Sequence, residues 1–141
     1  VTLFYAELDP ARGVLSYINA GHNPPLLARR GGGIERLPAT AVAMGVVAET
    51  PIESCEVTLE PGDRLLLYTD GVTEAENALG EEFGESRLLA FLDAHRTDTD
   101  RGLLDGVVAQ VLLFGAGVKP RDDMTLMVIS RTIHEVVSKS S

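Results

Sequence analysis

The 141-residue chain carries 12 Lys and Arg against 21 Asp and Glu, a formal charge of −9, with 45% hydrophobic and 23% charged residues. That length suits one domain with a real core, and that charge argues against nucleic acid or anionic lipid, whose phosphates it would repel, while suiting divalent cations. A single cysteine, Cys55, excludes an internal disulfide and a multi-thiolate zinc site, no apolar run approaches the roughly 20 residues of a membrane-inserted segment, and a reducing cytoplasm is the expected location.

The chain opens on Val1-Thr2-Leu3-Phe4-Tyr5-Ala6 as though inside a strand, which suggests a sequence cut from something longer. Strands are expected from Thr2 to Leu8 and from Val14 to Ala20, joined antiparallel through Asp9-Pro10-Ala11-Arg12-Gly13, whose proline and glycine are hairpin chemistry. Gly21-His22-Asn23-Pro24-Pro25 breaks the ladder, because two prolines cannot donate to it. Extended chain resumes from Pro25 to Arg29, turns at Gly31-Gly32-Gly33 and returns from Ile34 to Leu37. The triple glycine lacks the lysine and helix of a phosphate-cradling loop and reads as a hairpin tip. Pro38 to Pro51 reads as a partly buried connection around Met44-Gly45. Cys55 to Leu59 alternates as a strand with Glu56 and Thr58 on its polar side, and Pro61-Gly62-Asp63 turns into the run Leu65-Leu66-Leu67-Tyr68.

That run has the character of a strand covered on both faces, and it ends abruptly at Asp70-Gly71. A short helical turn is expected around Glu74 to Ala78, then an amphipathic helix from Gly84 to Ala94. Thr97-Asp98-Thr99-Asp100 offers N-caps for a helix bearing Leu103, Leu104, Val107, Val108, Val111 and Leu112, which ends before Gly115. Lys119 to Asp123 is a charged loop leading into a buried strand from Met124 to Ile129. Strands first and helices later give an α+β layered domain. Glu81, Glu82 and Glu85 read as a solvated face, and Cys55 as core.

If the two apolar strands are neighbours, Asp70 leaves one and Asp122 enters the other at one sheet edge. Carboxylates delivered from separate strand ends suit magnesium or manganese. Residue types alone leave that site and a plain Asp-Gly turn both open.

The strings NAGHNPPLL, LEPGDRLLLYTDGVTEAENALGEEFG and RDDMTLMVI, in this order and spacing, resemble the bacterial sporulation-protein-E and stress-regulator branch of the metal-dependent (PPM, type 2C) serine/threonine protein phosphatases. The resemblance covers residues 1–131 as the C-terminal portion of such a domain, with 132–141 as a polar tail. It implies two antiparallel β-sheets sandwiched between helices, layered α-β-β-α. It also implies that Asp70 and Asp122 are catalytic ligands of one of two Mn2+ or Mg2+ ions, that Asp123 mainly orients the loop, and that Glu74 lies near a position some relatives use for a further metal. His22 of the GHNPP segment reads first as a structural hydrogen-bonder and Asn23 as a turn former. The family's bridging aspartate falls upstream of the strand that opens this chain, so residues 1–141 alone are expected to be inactive.

By the same resemblance a metal-activated water attacks a phosphoserine or phosphothreonine with no covalent phosphoenzyme. The implied substrate is an anti-sigma-factor antagonist in bacterial stress or sporulation signalling, and an upstream sensor domain is the implied regulator. The alternative is a non-catalytic module that keeps the fold to bind a partner.

Overall fold

A computed structural model describes residues 1–45 and 51–133. Seven strands and three helices follow in the order β1 (Leu3–Asp9), β2 (Val14–Ala20), β3 (Leu26–Ala28), β4 (Ile34–Arg36), β5 (Cys55–Thr58), β6 (Arg64–Tyr68), α1 (Asp70–Thr73), α2 (Gly84–Ala94), α3 (Asp100–Phe114) and β7 (Leu126–Ser130). They form two antiparallel sheets, β1-β2-β5 and β4-β3-β6-β7.

Strand β6 holds the layers together. Leu65 and Leu67 face Leu15, Tyr17, Leu27 and Leu59 between the sheets, whereas Leu66 and Tyr68 face Leu88, Leu92, Leu103 and Val107 of α2 and α3. Alternate side chains of one strand therefore serve two cores, as a run without polar interruption requires. Burial among these neighbours pushes the Tyr68 phenol up to about 12, with Glu85 adding to the effect. Helix α2 is tied to the far edge of its sheet by a two-pronged ion pair, Arg36 Nε to Glu85 Oε1 at 2.7 Å and Nη2 to Oε2 at 3.2 Å. Among the described residues both long helices pack on this one sheet, and the outer face of β1 leaves Leu3 and Tyr5 exposed.

Three expectations change. The helical turn expected from Glu74 to Ala78 forms earlier, at Asp70–Thr73. The Asn77 amide oxygen accepts the Leu79 and Glu81 amides at 2.9 and 3.0 Å, so a polar side chain takes donors that a helix needs. Strand β7 lies at the sheet edge, which leaves Met127 more than half exposed where a buried strand was expected. Met44 is also more than half exposed; the rest of that expected connection, 46–50, lies outside the described residues, as does the expected tail beyond Ile133.

At the start of β6, Asp63 is 2% exposed. Its carboxylate accepts the Arg30 amide at 2.9 Å, the Glu60 amide at 2.9 Å and the Arg29 guanidinium at 2.7 Å. Burial pushes its pKa up, but these donors outweigh burial and hold it below the usual carboxylate range. A group lowered on folding contributes stability that is complete above its unfolded value, about 3.9, and is lost as pH falls through the folded value. The melting temperature should therefore decline below about pH 4. Asp63→Ala should cost about 2–3 kcal/mol at pH 7, because three donors lose their acceptor, and should flatten that acid limb in thermal melts.

Candidate metal centre

The end of β6 and the approach to β7 meet as a pair of acidic turns. Tyr68 pairs with Leu126, and one residue further Thr69 replaces sheet pairing with a clamp. Its amide donates to the Thr125 carbonyl at 3.1 Å. Its hydroxyl accepts the Thr125 amide at 3.0 Å and donates to the Asp123 carbonyl at 3.3 Å. Thr69 is extended and precedes the single turn of α1 without capping it through its side chain, which places Asp70 at the start of that turn. Gly71 packs against the backbone of Asp122 and Asp123. A Cβ there would overlap the Asp123 carbonyl, 2.9 Å from its carbon and 3.4 Å from the Asp122 oxygen.

Asp70 and Asp122 thus leave and enter adjacent strands at one edge, in turns that touch through backbone. Asp123 joins this contact through its carbonyl rather than its carboxylate. The side chains of Asp70, Asp122 and Asp123 are exposed and make no hydrogen bond or ion pair with the described residues. Unpaired oxygen donors of this kind fit a hard cation. The set is small, however: among the described residues no three His, Cys, Asp or Glu side chains are grouped closely enough to hold a metal ion.

Glu74 closes α1 rather than opening a helix, and its amide donates to the Asp70 carbonyl at 2.8 Å. It lines, with Gly71 and Asp122, a cleft of about 390 Å³ that extends to the C-terminal end of α3. Two contacts set the cleft's walls. Arg121, next to Asp122, pairs with Glu76 at 2.7 Å, and α3 ends so close to this segment that a Cβ at Gly115 would lie 3.2 Å from the Glu76 carbonyl oxygen.

His22 is half-buried with Nδ1 2.8 Å from the Asn23 carbonyl oxygen. Its amide donates to the Oδ1 of Asn19, which is wholly buried. Leu26 pairs with Leu66, so the segment that includes His22 approaches the same end of the sheet as Asp70. It does so as a turn held by its own hydrogen bonds, in keeping with the structural reading. Glu85 and Glu81 of the acidic face pair with Arg36 and Asn77.

Residues 1–132 match the family described as Stage II sporulation protein E (SpoIIE). The chain is 34% identical to protein IcfG of Synechocystis over 130 residues, 92% of this chain and 20% of that protein. It is 25% identical to phosphoserine phosphatase RsbU of Bacillus subtilis over 136 residues, 94% of this chain and 39% of that one. Its fold is similar to the phosphatase domain of SpoIIE from Bacillus subtilis, solved after a manganese presoak, with TM-score 0.74 and 19% identity over 95% of this chain and 58% of that one. The chain therefore spans a fifth to two fifths of these curated relatives, and the fold is that of PP2C-type phosphatase domains.

The contact at Gly71 generates a direct test. Gly71→Ala must push the two acidic turns apart, at a cost of about 1–3 kcal/mol by the usual penalty for overpacking. A lower denaturation midpoint with an unchanged denaturant slope is the expected result.

Proposed function

The chain belongs to the SpoIIE family, within the PP2C-type (PPM) phosphatases, and from that premise we propose that its pair of acidic turns is part of the metal centre of a phosphoserine or phosphothreonine protein phosphatase. The observation that carries this reading is the contact between the turn after β6 and the turn before β7, with Asp70 and Asp122 unpaired beside it. The name of RsbU, a phosphoserine phosphatase, and the manganese presoak of the SpoIIE domain support it.

In this reading Asp70 and Asp122 hold one divalent ion. Asp123 sets the loop through its backbone, and Glu74 stands beside the site as a further carboxylate. When bound, Mn2+ or Mg2+ supplies Lewis acidity, acidifying water and offsetting charge on phosphate oxygens. The chain's own contribution is orientation: the Thr69 clamp and the Gly71 contact fix the two turns before any ligand arrives, so little entropy is lost in assembling them. The domain extends upstream of residue 1 and supplies the bridging aspartate, following a sensor domain. The substrate is an anti-sigma-factor antagonist, and the setting is the cytoplasm.

One observation favours a second reading, a partner-binding module without catalysis: the described residues do not by themselves group three metal-ligating side chains. Manganese titration by calorimetry on the intact protein and on residues 1–141 separates the two. The phosphatase reading expects binding to the intact protein and much weaker binding to residues 1–141. The module reading expects no binding to either.

In the intact protein Asp70→Asn should abolish manganese-dependent hydrolysis of a phosphopeptide while leaving circular dichroism unchanged. Unaltered turnover would remove Asp70 from the site. Manganese at 100 times its Kd should stabilise the wild type by about 2.7 kcal/mol, and removing the metal with a chelator should reverse that gain, since uncompensated carboxylates repel one another.

A further inference from the structure

The cleft beside the acidic turns is more than a metal site needs. On the α3 side its walls are apolar, with Val111, Leu112 and Val118, while Glu74, Glu82 and Asp122 charge its rim. Leu112 is about half exposed, so apolar surface stands open to water next to a charged edge. The volume of about 390 Å³ falls within the roughly 300–1,000 Å³ of ligand-binding sites. The walls are set in advance by the Arg121–Glu76 pair and the close approach of Gly115.

We infer that this cleft receives the residues flanking the phosphorylated side chain of a protein substrate, with an apolar side chain directed inward and a Lys or Arg directed to Glu82. The inference rests on the reading of Asp70 and Asp122 as a phosphatase centre and adds a basis for substrate selection.

Continuity supports it. Gly71, Glu74 and Asp122 belong to the cleft and to the acidic turns together, and a phosphoryl group held at those turns would bring its neighbours to the cleft mouth. An extended peptide advances about 3.3 Å per residue, so positions one or two removed from the phosphoserine reach the apolar wall. Charge supports it as well. Arg121 neutralises Glu76. A cation held by Asp70 and Asp122, with Glu74 beside it, would offset those carboxylates, leaving Glu82 exposed and without an ion-pair partner among the described residues. A basic substrate residue is its complement.

Ala116 lies at the mouth, exposed and in an ordinary backbone conformation, so Ala116→Phe fills the cleft without straining the fold. The intact protein is assayed with manganese on three probes: p-nitrophenyl phosphate, which has no flanking residues, a phosphoserine peptide flanked by Leu and Lys, and its counterpart flanked by Ala and Glu. The wild type should favour the Leu/Lys peptide about tenfold in kcat/KM. Ala116→Phe should raise KM for that peptide about tenfold and leave p-nitrophenyl phosphate unchanged. Glu82→Lys should reverse the preference between the peptides, a readout that a merely structural role would not move. Equal use of the two peptides by the wild type, or loss of peptide and p-nitrophenyl phosphate turnover alike in Ala116→Phe, overturns the inference.

Failure of the catalytic reading shows separately, as absence of p-nitrophenyl phosphate hydrolysis by the wild type. The cleft is then judged by fluorescence anisotropy of the labelled Leu/Lys peptide, without turnover. Binding weakened about tenfold by Ala116→Phe sustains the inference, and equal binding by both proteins overturns it.

Discussion

A hydrogen atom where every other residue carries a carbon sets the spacing of the acidic edge. Gly71 lies against the carbonyls of Asp122 and Asp123, so the turn that ends one strand can touch the turn that begins its neighbour. The Thr69 hydroxyl completes the junction by donating to one residue of the opposing turn and accepting from another. Asp70 and Asp122 are thereby brought to one edge in touching turns, with neither carboxylate paired to a lysine or arginine among the described residues.

The precision of that junction derives from the strand behind it. Both faces of β6 are buried, one against the other sheet and one against α2 and α3. Its side chains are consequently fixed from two sides, and the residue at its end inherits that rigidity. The cleft draws on the same source. Its apolar wall is the last turn of α3, whose Leu103 and Val107 are packed into the core that holds Leu66 and Tyr68.

Much of this was legible in the sequence because it depends on local chemistry. The hairpin of β1 and β2 follows from Pro10 and Gly13, α2 was bounded at Gly84 and Ala94, and Thr99 caps α3 by accepting the Gly102 amide at 3.0 Å. The meeting of the turns bearing Asp70 and Asp122 was expected on the condition that the two apolar strands are neighbours, and β6 and β7 pair. What stayed hidden depends on partners remote in sequence. Thr69 reads as an ordinary residue before an Asp-Gly turn, since its hydroxyl finds its partners only after β6 and β7 pair. Glu76 and Arg121 give no sign of each other. Asn77 displaced the expected helical turn through two backbone donors of its own loop, a local competition that a count of helix-favouring residues overlooks. The arrangement of four strands in one sheet and three in the other was likewise beyond hydrophobic periodicity, which describes faces and not neighbours.

A strand that is apolar on both sides has a peculiarity. Sliding it by one position exchanges the side chains between its two cores and, although leucine still replaces leucine at the centre, carries Arg64 or Thr69 into a buried position at one end. Asp63 adds to the penalty, because it would be dragged away from the Arg29 guanidinium and the Arg30 and Glu60 amides. The aspartate that cannot bind a metal, because its oxygens are already satisfied, thus indexes the strand and determines where the aspartate at the opposite end comes to rest.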